Sequence, residues 1–469
     1  MVFSSVTFLF FFLPAVLAVV TLAPERLRNR VLLAASLLFY TWGSHWFVVV
    51  LVGTSVLDWM LVAQARAAHD RREIEGRRRW LAASIVLNLG VLAYFKYAGF
   101  ISVDIVSRFT PVDRPPDWLT DVVLPIGISF FTFQRISYAV DVSTGRDEPT
   151  RTFVDYLLYI CLFPQLIAGP IVRYRDISGQ LRGRVMTLHQ ASDGVVRFSL
   201  GLAKKVLIAD TLSPVVAAVF DGGGDVSTPA AIVGVVAYTL QLYFDFSGYS
   251  DMAIGLGLMF GFSFPENFDR PYTSHSVTEF WRRWLITLST WFRDYLYIPL
   301  GGSRSGRTYR NLAVVFLLTG LWHGAAWTFV AWGALHGGIL LVERLLGGRL
   351  FSGLAGRVVT LGLVMAAWVI FRAQTLGRAG EIFEALVRFD FGPVRPDIAL
   401  ALDTRTMLAL VFGSVVFFLP RNVISADRST PDRRALHVPA RAALVAVALP
   451  ASLVVASTQT FSPFLYFQF

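Results

Sequence analysis

Apolar runs long enough to cross a bilayer recur from one end of this chain to the other. About 18 such residues in a row read as a membrane helix. Candidate spans cover residues 3–22, 31–51, 80–100, 122–140, 153–171, 230–246, 312–341, 358–371, 407–420 and 442–456. The stretch 312–341 is long enough for two helices, and 56–63 either extends the second span or makes its own. The pattern predicts roughly ten to twelve membrane helices. Backbone polar groups in lipid must be satisfied internally, so runs of this kind build helices. Composition agrees: 55% of the 469 residues are hydrophobic and mean hydropathy is +0.57. Charged residues make up 16%, against roughly 25% in soluble chains. The expected fold class is an all-α polytopic integral membrane protein.

Several runs are interrupted. Leu124-Pro125-Ile126-Gly127 and Leu166-Ile167-Ala168-Gly169-Pro170 cannot continue as straight helices. Broken backbone at membrane depth is tolerated where it is buried in protein or lines a wet cavity, so re-entrant elements around an internal chamber are expected. The first run has no basic residue before it, which argues for an uncleaved span rather than a signal peptide. Arg26, Arg28 and Arg30 follow that run, and Arg66, Arg71, Arg72, Arg77, Arg78 and Arg79 follow the next membrane block. Both clusters, and the basic stretch 270–310, are expected on the cytoplasmic side, with the N-terminus outside. Residues 113–117 read as an outer loop. The net charge of +10 is explained by these loops, and no nucleic-acid partner is expected. The lone cysteine, Cys161, permits no disulfide within the chain and no cysteine-based metal site; a packed core residue is expected. No internal repeat or second soluble domain is visible, so residues 1–469 read as one domain.

Phe280, Trp284, Leu288, Trp291 and Tyr295 recur at helical spacing in residues 276–300, with Arg282, Arg283 and Arg293 off that stripe. This pattern predicts an interfacial amphipathic helix. It reads as an aromatic belt anchor and as a basic face for a phosphate-bearing cytosolic donor, two compatible roles. Of seven histidines, His45 and His69 fall in short loops, and His189, His275 and His437 in polar or interfacial stretches. His323 and His336 lie inside the long run 312–341. A helix starting near Asn311 would carry His323 roughly 18 Å inward, at about 1.5 Å per residue. An ionisable group there is a functional-site hypothesis by default, although an interhelical hydrogen bond is the plainer use. Gly320, Gly324, Gly333 and Gly337 around them allow close approach, either of another helix or of a substrate, helix packing being the commoner use. Asp245 and Asp251 sit beside an apolar run, too far apart for one helix turn. They either orient a histidine or pair with Arg135, Arg173 or Lys204, and the second reading is preferred. There is no phosphate-binding G-x-x-x-x-G-K-[ST] loop, no H-E-x-x-H zinc motif and no G-x-S-x-G elbow.

The segments 243–254 (YFDFSGYSDMAI), 264–268 (FPENF), 278–300 (TEFWRRWLITLSTWFRDYLYIPL) and 318–327 (LTGLWHGAAW) resemble the membrane-bound O-acyltransferase family. They are closest to its bacterial alginate and polysaccharide O-acetylation branch. Residues 124–133, 163–173 (FPQLIAGPIVR), 204–210, Phe371-Arg372-Ala373 and 462–469 carry the likeness along nearly the whole chain. The resemblance implies a through-membrane tunnel, an acyl donor from the cytoplasm (acetyl-CoA in this branch) and catalysis by the histidine of the WHG motif, here His323. His336, in a WGALHG context, matches a further family histidine. Leu285 departs from the branch, which usually carries a histidine in that R-W-H context, so a polar role there is absent or supplied elsewhere.

The expected activity is transfer of an acetyl group from cytosolic acetyl-CoA to a hydroxyl outside the membrane. The acceptor is an exopolysaccharide or cell-wall glycan, or an extracytoplasmic partner acetyltransferase that relays the group. His323 is the expected general base, since a buried imidazole favours the neutral form a base needs. Arg282, Arg283 and Arg293 are expected to hold the CoA phosphates. No metal and no permanently bound cofactor is expected, and the location is the bacterial cytoplasmic (inner) membrane. Two rivals stand: a D-alanyl or lipid acyltransferase of the same family, and a transporter that passes acetyl without bond chemistry, since transporters also show broken helices and midplane polar groups.

Overall fold

The computed structural model describes residues 1–107, 115–304, 306–348, 351–418, 438–458 and 464–465. Among these residues every regular element is helical. Four helices are long and apolar enough to cross a membrane: Phe47–Asp70, Ile74–Val106, Thr228–Met259 and Gly353–Arg372. Phe8–Leu22, Thr404–Phe417 and Val445–Ser457 are shorter apolar helices. The residues 419 and 420 of one expected span, His437, residues 113–114 of the expected outer loop and most of 462–469 lie outside the described residues.

The chain divides into two compact units. The first is Met1–Val195 with Ala253–Pro265. Here α1 (Glu25–Ser44) and α2 (Phe47–Asp70) meet at His45, whose positive φ of 47° turns the chain. The expected span 31–51 therefore straddles a break, and 56–63 belongs to α2. After α3 (Ile74–Gly99), the helix α4 (Ile128–Ser143) starts late. Gly127 before it has φ 76°, and a Cβ there would meet the Leu166 carbonyl at 2.5 Å. Every residue of α4 but Val140 is buried. Arg135 within it donates to Leu51 O (2.7 Å), Ser55 Oγ (2.6 Å) and Thr54 Oγ1 (2.8 Å) of α2. The short helix α5 (Phe153–Cys161) ends in the buried broken segment around Phe163–Leu166, so that interruption is covered by protein, and Cys161 is a core residue as expected.

Two helices run through the boundary: α6 (Leu188–Ala203) and α7 (Thr228–Met259). At 32 residues α7 is far longer than the run 230–246 that announced it, because its polar second half is neutralised by ion pairs rather than solvated.

The second unit is Val196–Met252 with Glu266–Phe469. Residues 276–300 do not form the single amphipathic helix expected. They form α8 (Val277–Trp281) and α9 (Ile286–Phe292), separated by Leu285 at φ 43°, ψ 55°, and followed by a π-turn at Arg293–Tyr297. A left-handed leucine is uncommon, and here Asn267 enforces it. Asn267 O accepts Ile286 N at 2.9 Å, and its Oδ1 accepts Thr287 Oγ1 at 2.8 Å. Phe280, Trp284, Leu288 and Trp291 are buried, so the stripe packs a core and is not a lipid-facing belt. The run 312–341 forms two helices, α10 (Thr308–His323) and α11 (Trp327–Leu345), and α12 (Gly353–Arg372) packs beside α11.

Candidate active site

The α10–α11 hairpin is built for close approach. A Cβ on Gly333 would meet Phe316 O at 2.5 Å and Gly320 Cα at 3.2 Å, and a Cβ on Gly320 would collide with Phe329 O. Small residues at such a crossing let backbones touch; the glycines serve packing here. His323 is the last residue of α10, not the middle of a continuous helix. From Thr308 to His323 the helix rises roughly 22 Å.

The hairpin brings the two histidines onto one indole. The His323 and Trp332 ring centroids lie 5.1 Å apart at 83°, and those of Trp332 and His336 lie 4.9 Å apart at 70°. Phe371 meets His323 edge-on at 5.1 Å. His323 is 3% exposed and His336 fully buried. Trp281 Nε1 donates to His336 Nδ1 at 3.3 Å. Indole N–H only donates, so Nδ1 accepts and a neutral His336 carries its proton on Nε2. That nitrogen has no hydrogen-bond partner among the described residues.

The supporting shell is anchored by groups the sequence did not single out. Glu343, buried on α11, accepts Val277 N (2.6 Å), Thr278 N (2.9 Å) and Thr278 Oγ1 (2.7 Å). A carboxylate at a helix N-terminus satisfies donors that the helix leaves open. It thereby locks α8, and with it Trp281, onto the helix that carries His336. Tyr272 OH donates to Thr239 O (3.0 Å) and accepts Trp368 Nε1 (3.0 Å).

The three arginines expected to hold a donor do not form one cradle. Arg283 is held by Glu279 and by Thr273 Oγ1 at 3.1 Å, and Arg293 pairs with Asp294 at 2.7 Å. Arg283 is thus paired with the turn of helix before it, and Arg293 pairs with its neighbour in sequence while its side chain stays largely exposed. Arg282 is exposed and lines an open depression with His275, Ser276 and Glu279. Burial works to raise the Glu279 carboxyl pKa, but the His275 backbone N–H and Arg283 prevail and hold it below the usual value.

The two acids of α7 are structural, as preferred. Asp251 receives Lys204 Nζ (2.6 Å) and Arg197 (2.6 Å), and Arg197 also pairs with Glu266 (2.6 Å). Asp245 receives Lys205 Nζ at 2.6 Å, shared with Asp210 at 2.7 Å. Arg135 and Arg173 are engaged elsewhere. Leu285, at the usual family histidine, is buried and offers no polar atom.

Relatives give the context of this geometry. The chain is 44% identical to the probable alginate O-acetylase AlgI of Azotobacter vinelandii and 43% identical to that of Pseudomonas putida, over the full length of each chain. It is 35% identical to the peptidoglycan O-acetyltransferase of Helicobacter pylori, across 82% of this chain and 80% of that one. The family model described as MBOAT, membrane-bound O-acyltransferase family, matches residues 82–352, a stretch that contains both histidines, Trp281 and Glu343. The chain is a multi-pass, all-helical member of the membrane-bound O-acyltransferase family.

Proposed function

We propose that the chain acts as one domain that moves an acetyl group from cytosolic acetyl-CoA to a hydroxyl of an extracytoplasmic polysaccharide or glycan, or to a partner acetyltransferase, at the bacterial inner membrane. The convergence of His323 and His336 on the buried Trp332 carries this reading. The names of its relatives, acetylases of alginate and peptidoglycan, favour acetyl as the group and a glycan as the acceptor.

His323 takes the proton of the acceptor hydroxyl, and the freed oxygen attacks the thioester carbonyl. The tetrahedral oxyanion collapses, the C–S bond breaks, and the sulfur leaves with the proton that His323 held. Help of this kind is worth about 10²–10⁴ in rate. The carboxyl end of a helix carries partial negative charge, so the end of α10 suits the positive charge that develops on the ring. His336 presents an Nε2 proton, the polarity required to hold the oxyanion. Of the three arginines expected at the donor, Arg282 is the one left open to receive a phosphate; Arg283 and Arg293 would have to exchange partners first. A tunnel reaching His323 from both faces belongs to the proposal.

His323→Ala in a strain whose polymer acetylation can be measured tests it. Loss of at least a hundredfold in acetylation at normal protein levels is expected. Unchanged acetylation removes His323 from the mechanism.

A further inference from the structure

A cavity of about 370 Å³ in the first unit is lined by Arg26, Arg28, Arg30, Arg151, Arg182 and Arg184. Glu25 and Asp155 are the acids of the same lining. Asp155 is already committed to Asn29 Nδ2 (3.0 Å) and Thr152 Oγ1 (2.8 Å), and Glu25 lies 3.7 Å from Arg28. Six arginines against two acids leave the lining with an excess of positive charge, and outside the lining Asp147 lies 3.9 Å from Arg182.

The Arg184 guanidinium is placed, not loosely displayed. Asn29 ties three segments together, since it also donates to Leu181 O (2.9 Å) and accepts Arg184 Nη1 (2.6 Å). Arg184 Nε donates to Phe260 O at 2.9 Å, and the guanidinium lies 4.2 Å from the Phe262 ring centre. Those contacts fix the fork and leave Nη2 over. Arg184 Nη2 and Arg28 Nε are both buried without a hydrogen-bond partner among the described residues. Burial, and after it the neighbouring Arg28 charge, lower the Arg184 pKa to about 10. One preset guanidinium fork with a second guanidinium beside it on the same cavity suits the oxygens of a phosphate. Exposed apolar side chains flank the lining in sequence: Leu22, Leu27, Val185 and Leu188.

We propose that this cavity binds a phosphate-bearing anion at the membrane surface. A phospholipid headgroup and a soluble phosphate ester share the required chemistry. Its lining shares no residue with the histidine centre, so it stands or falls apart from the acetyl-transfer reading.

The test uses the full-length protein and native mass spectrometry with three probes: phosphatidylglycerol, phosphatidylcholine and CoA. The triple variant Arg26→Gln, Arg30→Gln, Arg151→Gln removes charge at side chains with no hydrogen bond or ion pair among the described residues, and so spares the fold. Arg184→Gln is the second variant. Wild type is expected to retain phosphatidylglycerol over phosphatidylcholine, and each variant to lose that retention at least tenfold with its thermal unfolding unchanged for the triple variant. His323→Ala is expected to bind as wild type does. If CoA shows the tenfold loss instead, the anion is soluble and the phosphate assignment holds. If no probe separates wild type from the triple variant, the assignment is overturned.

Discussion

The imidazole of His336 enters any reaction with one nitrogen already occupied. Trp281 donates to Nδ1, so the ring has a fixed tautomer and its remaining proton points away on Nε2. A glutamine can place an amide N–H near that position, whereas alanine cannot. His336→Ala is expected to lower the acetyl-transfer rate by about 10²–10³, the range for loss of one oxyanion donor. His336→Gln should keep part of that rate. Equal losses in a turnover assay would show that the proton on Nε2 has no part in the chemistry. The two histidines were legible in the sequence because they interrupt an apolar run. The orientation of their rings was not, because it depends on an indole 55 residues from His336.

At the scale of elements, the site is a hairpin braced by a broken helix. Glu343 joins the two through three hydrogen bonds. A hydrogen bond to a charged group contributes about 1.5–3 kcal/mol. Glu343→Gln is expected to lower the unfolding midpoint and to reduce turnover, while Arg344→Gln, one residue on and outside these bonds, should leave both near wild type. A full-rate Glu343→Gln enzyme would disconnect α8 from the site. The aromatic spacing in 276–300 gave four residues that are buried, Tyr295 being only partly so, and the wrong element. Helical periodicity counts apolar positions, but the chain turns at Leu285 because Asn267, from the FPENF segment, captures the next two backbone groups. That choice is tertiary, and no local pattern encodes it. The reach of α7 past Phe246 was hidden for the same reason: Asp245 and Asp251 look like a helix end until Lys204, Lys205 and Arg197 are seen beside them.

At the scale of the whole molecule, basic loops predict an orientation. Arg71 and Arg72 at the turn between α2 and α3, and Arg78 and Arg79 near the start of α3, are exposed, and excess arginine stays in the cytoplasm. A reporter active only in the cytoplasm, inserted after Arg72, should be active, and the same reporter after Asp121 should be silent. The reverse result would invert the topology and would place the arginine-lined cavity of the first unit outside. Such mapping has a practical ally in the fold. Cys161 is the sole cysteine and is fully enclosed, so a bulky maleimide has nothing to label in the native chain. Any thiol introduced by mutagenesis would report its own surroundings against a silent background, and the wild-type sequence can serve directly as the blank for site-by-site accessibility scanning.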